Sequence, residues 1–119
     1  MARRYLNIQE AEATLKRGKT VESFLGGFTL RGERCIRWAD FQLNEAGVTA
    51  NLWEAYDQGS EEFADVYTFD SPHTEYIEPV KVVHSQSIEN AAKGLGLTEY
   101  KLVNRGLVQD EYLSYLAHT

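Results

Sequence analysis

The spacing of apolar positions changes along this chain, and each change marks an element. Ile8, Ala11 and Leu15 recur at helical spacing. Asn7 precedes them as an N-cap, Glu10 stands where a capping box needs it, and Leu6 can close over Ala11 as a hydrophobic staple. Gly18 supplies the stop. Residues 21–25 fit either an extended piece or a short helical turn, and Gly26-Gly27 breaks any helix. From Phe28 the pattern becomes that of strands, with a hairpin expected at Gly32. Residues 35–43 are rich in strand formers, but their apolar phase slips between Ile36/Trp38 and Phe41/Leu43. A bulge near Ala39 or Asp40 would account for that slip.

A turn at 44–47 leads into an alternating strand at 48–56, with Val48, Ala50, Leu52 and Tyr56 in phase. A second turn at 57–60 leads to a third expected strand at 63–69, with Phe63, Tyr67 and Phe69 in phase. After an irregular connection at Ser71-Pro72-His73, a strand is expected at 80–84. Ser85 or Ser87 caps a helix bearing Ile88, Ala91, Ala92 and Leu95, and Gly96-Leu97 reads as a Schellman stop. A short edge strand at 100–103 and a last helix at 108–117 complete the order. The fold class is therefore α+β. The expectation is one domain over 1–119, built on an antiparallel meander sheet of four to five strands. An N-terminal helix and two C-terminal helices would pack on one face.

Charge changes the picture more than composition does. The chain has 119 residues and a net charge of −6, and that figure hides an asymmetry. Residues 1–37 hold eight Lys/Arg, Arg3 and Arg4 among them, against four Asp/Glu. Residues 38–80 hold ten Asp/Glu and no Lys or Arg, and residues 81–119 hold four of each. Acids unanswered in their own segment repel one another unless something positive meets them. Glu54, Asp57, Glu61, Glu62 and Asp65 crowd one expected hairpin, with Trp53, Tyr56 and Phe63 beside them as aromatic anchors. The five acids with Trp53 and Tyr56 form the candidate partner-binding set, and the partner they imply is a basic protein. The basic first third folding back over the acids is the structural alternative.

The search for chemistry returns little. Cys35 stands alone, which excludes an intramolecular disulfide and two-cysteine zinc motifs. His73, His84 and His118 lack the i, i+4 partner of a helical zinc site, and the 57–62 loop lacks the alternating acids of a calcium loop. No phosphate loop or nucleophile elbow is present, so no catalytic residue, metal or cofactor is assigned. The acidic balance argues against nucleic acid as partner. The basic start lacks a following apolar run, and no stretch reaches bilayer length, so neither a signal peptide nor a membrane span is expected. A cytoplasmic location follows from that reading.

In size, acidity and missing catalytic motifs the chain is similar to the small immunity proteins and antitoxins that bacteria keep against their own toxins. That resemblance covers no motif. It implies a protein that neutralises a basic partner such as a toxin nuclease. Two other classes stand beside it. One is a small-ligand-binding protein or enzyme, its pocket lined by Trp38, Trp53 and Tyr67 with Asp40 or Asp65 inside. The other is a self-associating structural protein, with a homodimer as its simplest form.

Overall fold

The computed structural model describes residues 5–75 and 77–118; Arg3 and Arg4, part of the basic first third, lie outside them. The chain runs α1 (Ile8–Lys16), β1 (Val21–Leu30), β2 (Glu33–Asn44), β3 (Gly47–Tyr56), a 3-10 turn (Val66–Thr68), β4 (Lys81–Ser85), α2 (Ile88–Gly94), β5 (Val103–Asn104) and α3 (Val108–Ala117). The five strands form one antiparallel sheet in the order β4-β3-β2-β1-β5. This is the α+β class that the patterning implies.

Local chemistry sets the element ends. Asn7 accepts from the Glu10 N–H at 2.8 Å and the Glu10 carboxylate accepts from the Asn7 N–H at 3.0 Å, which completes the capping box. Ser87 caps α2 by accepting from the Asn90 N–H at 3.1 Å. At the other end of α2, the Leu97 N–H donates to the Ala92 carbonyl and the Gly96 N–H to that of Lys93, both at 3.0 Å. These are the two bonds of the Schellman motif, with Gly96 at φ +85°. β1 and β2 join through Arg31-Gly32, both residues at positive φ, the two-residue geometry that matches strand twist.

The phase slip in β2 has a different cause from the bulge expected at Ala39 or Asp40. β2 pairs with β3 without interruption from Cys35↔Tyr56 to Asn44↔Gly47. The register shift lies in β1, between Phe24 and Gly27. β2 is apolar in both phases because both faces of the sheet are covered. Ile36 and Trp38 enter one core with Val66, Phe69, Val108 and Tyr112. Ala39 and Phe41 enter another with Ala11, Leu15, Ile88 and Ala91. The helices accordingly divide between the two faces rather than gathering on one: α3 covers the Ile36/Trp38 face, and α1 and α2 cover the Ala39/Phe41 face.

The strand expected at 63–69 is not formed. That segment is irregular apart from its single 3-10 turn, with Val66 and Phe69 buried. Its aromatics are held by rings rather than by a ladder: Phe69 lies 5.7 Å from Phe63 and 5.4 Å from Tyr112, centroid to centroid. With α3, the segment covers one sheet face at Ile36 and Ala55 and leaves a cavity at Glu22 and Asp40.

Candidate functional site

The acids expected to cluster around one hairpin go to different places. Trp53 and Glu54 are neighbours on β3, so they point to opposite faces of the sheet. Glu54 is 8% exposed and stands across from Arg37 in the β2–β3 register. Arg37 gives Glu54 Oε2 two contacts, Nε at 2.7 Å and Nη2 at 2.5 Å, while His73 Nε2 lies 2.7 Å from Oε1. The Arg37 guanidinium also sits 4.4 Å over the Phe28 ring. Arg31 donates to the Pro72 carbonyl at 2.6 Å and ties down the loop that carries His73.

Asp57 is paired with Arg34 at 3.3 Å and accepts from the Tyr112 hydroxyl. Tyr56 pairs with Cys35 and donates its N–H to the Asp70 carbonyl at 2.8 Å. Asp65 precedes the 3-10 turn, and its Oδ1 is buried without a hydrogen-bond partner among the described residues. Of the seven residues in the candidate partner-binding set, Glu61 and Glu62 are exposed. Phe63 beside them is 49% exposed. The basic first third answers Glu54 and Asp57 through register, because Arg34 and Arg37 lie on the strand that pairs with β3.

A different group of side chains converges on the same sheet face that α3 covers, beside the α3 core. A cavity of about 300 Å³ lies there, walled by Trp38, Trp53, Tyr67 and Arg105, with Glu22 and Asp40 at its base. Glu22 on β1 and Asp40 on β2 are direct register partners, 2% and 8% exposed. Asp40 accepts from Asn51 Nδ2 at 2.8 Å and from Trp53 Nε1 at 2.7 Å. The Tyr67 hydroxyl lies 2.7 Å from each oxygen of Glu22, and the Gly106 N–H donates to Oε1 at 2.8 Å.

Burial raises the Glu22 carboxyl above its ordinary range, and the neighbouring Asp40 adds to that. Hydrogen bonds from Tyr67 and Gly106, and the charge of Arg105, pull the other way and offset only part of it. Burial, followed by the hydrogen bond to Glu22 and that group's charge, pushes the Tyr67 phenol up, so it acts as a neutral donor. Trp38 and Trp53 stack at 6.2 Å with planes 12° apart, and the Tyr67 ring meets Trp38 edge-on at 6.3 Å. Arg105 sits 5.8 Å over the Tyr67 ring.

Two carboxyl groups directly across a strand pair repel when both are charged. A proton on Glu22 relieves the pair, and so does a cation in the cavity. The aromatic walls suit the second remedy, since ring faces attract cations.

Trp38, Trp53, Tyr67 and Asp40, the pocket residues anticipated in the sequence, meet here, while Asp65 stays outside the lining. Glu22 and Arg105 were not anticipated. The available signal for Glu22 was a lone acid between strand formers in Val21-Glu22-Ser23-Phe24. For Arg105 there was none, because its place depends on β5 joining β1. Elsewhere, Cys35 is buried and desolvation raises its thiol. No cluster of three His, Cys, Asp or Glu able to hold a metal occurs among the described residues. No helix among them is long and apolar enough to cross a membrane.

Compared with family models, with curated proteins and with solved structures, the chain gives no match. Fold and site together define an α+β protein with a carboxylate-floored, tryptophan-walled pocket on an open sheet face.

Proposed function

We propose that this chain binds a small ligand bearing a cationic amine or guanidine, received in the Glu22–Asp40 pocket. The observation that carries this reading is the cross-strand carboxyl pair, almost fully buried at the base of a cavity with aromatic walls. A cavity of about 300 Å³ matches the low end of the range for small-molecule sites, roughly 300–1,000 Å³. The role of each wall follows from its chemistry. Glu22 and Asp40 accept N–H donors from the ligand, and Trp38 and Trp53 present ring surface to its charge. Tyr67 holds Glu22 in place.

The test is a titration with alkylamines, alkylguanidines and quaternary ammonium compounds, followed by tryptophan fluorescence and by heat. At least one class is expected to bind, with Glu22→Gln and Asp40→Asn each weakening it tenfold or more. Fluorescence that no cation changes, or affinity indifferent to both substitutions, would end this reading.

A basic protein partner is the second reading, supported by exposed Glu61 and Glu62 beside the half-exposed ring of Phe63. It is the weaker of the two because Glu54 and Asp57 already have arginine partners.

A further inference from the structure

Thr20 and Arg105 line the carboxylate pocket and also line a second, larger groove of about 650 Å³. That groove lies where the chain leaves α1 for β1 and where β5 ends, and its other walls include Arg17, Lys19 and Asn104. No carboxylate lines it. Arg17 bonds Thr14 Oγ1 at 3.3 Å, and Arg105 leans on Tyr67. Yet none of Arg17, Lys19 and Arg105 has an ion pair among the described residues. This is notable in a chain with 18 acids against 12 Lys/Arg, where Arg34 and Arg37 are both committed to carboxylates. Three cations without an ion pair surround one concavity, Arg105 among them acting on Glu22 without pairing with it, and they form a site for a multiply charged anion; the planar forks of two arginines suit phosphate oxygens. One groove is cationic, its neighbour is carboxylate-floored, and the two share a wall.

Resting on the pocket reading above, we infer that the ligand is bipolar: its amine enters the Glu22–Asp40 pocket, and a phosphate at its other end lies on Arg17, Lys19 and Arg105. Such a ligand meets the carboxyl pair and the cationic groove at once. Joining the two ends makes the second contact intramolecular, so the linked molecule binds far more tightly than either half. Arg105, reaching both cavities, sets the boundary between the two ends.

The experiment uses ω-aminoalkyl phosphates of two, four and six carbons, the matching alkylamines and inorganic phosphate, titrated calorimetrically into the full chain. At least one chain length should bind tenfold or more tighter than its alkylamine. In the Arg17→Gln/Lys19→Gln variant that gain should shrink to less than threefold, measured against the same amine on the same variant. Lys93→Gln, a change on exposed α2 surface, should retain it. Vesicles of phosphatidylcholine with and without phosphatidic acid and an alkylamine lipid distinguish the phosphate's source. Retention on the mixed vesicles assigns it to lipid, and passage through assigns it to a free phosphomonoester, the bipolar class being supported either way by the soluble series. Alkylamines that bind while every phosphate derivative binds no better would overturn this inference and spare the pocket. Alkylamines that fail to bind would overturn this inference, and the pocket reading falls with it only if the alkylguanidines and quaternary ammonium compounds fail as well.

Discussion

Glu22 shows how one side chain's surroundings decide its chemistry. Its carboxyl would ordinarily titrate near 4.5, and burial raises that value in the fold. Between the unfolded and the raised folded value, the native state holds more protons than the unfolded chain. Stability contributed by the protonated group is therefore present below pH 4.5 and declines as pH rises through that window. Glu22→Gln keeps an oxygen for Tyr67 and Gly106 and has no proton to lose. Its melting temperature relative to the parent should rise as pH goes from 4 to 7, as followed by circular dichroism. A difference that stays constant across that range would show that burial imposes no titration cost here. The same residue scale explains why Gly59 tolerates no side chain: a Cβ there would stand 2.5 Å from the Phe63 carbonyl and 2.6 Å from the Tyr112 ring. That close approach lets the Gly59 N–H donate to the Tyr112 hydroxyl at 3.0 Å.

At the scale of elements, ends were legible and pairings were not. Asn7, Glu10, Ser87 and Gly96 act on backbone groups within five residues, so their roles follow from local sequence. Asn7→Ala removes the acceptor of the Glu10 N–H and leaves that donor at an exposed helix start. It should lower stability by about 1 kcal/mol in urea unfolding. An effect near zero would mean α1 is held by Ala11 and Leu15 alone. The segment 63–69 has the pattern of a strand without forming one, because ring spacing of two also suits a coil whose aromatics pack on a helix. Phe69 packs tilted against Phe63 and edge-on against Tyr112, and Tyr112 comes from α3, far along the chain. The slip in β2 misled for a related reason. A strand covered on both faces is apolar in both phases, and one phase change looks the same as a bulge.

Over the whole molecule, net charge divides differently in space than in sequence. Ten acids occur between residues 38 and 80 without a Lys or Arg. Antiparallel pairing then places Arg37 opposite Glu54, and Arg34 reaches Asp57. What stays at the surface around the lost hairpin is Glu61 and Glu62. Reversing both to Lys moves the net charge from −6 to −2, starting from the value read from the chain, and touches neither core. A basic protein partner captured from the native host should release the double variant, and its affinity for the parent should fall with salt. Capture unchanged by the reversal, or insensitive to salt, would remove that reading and leave the pocket as the chain's recognised surface.

By itself, the amino-acid order settled the α+β class, the helix caps and the strands at β2 and β3, and it offered a pocket of tryptophans with Asp40 or Asp65 as one alternative among three. Those properties depend on periodicity and on contacts between near neighbours. Only tertiary structure decided that Glu22 faces Asp40, that Arg37 meets Glu54, and that Arg105 stands between an acidic cavity and a basic groove. Each of those depends on strand register or on β5 joining the far edge. A one-residue slip in register would turn every side chain to the opposite face, and no local pattern specifies which partner lies across.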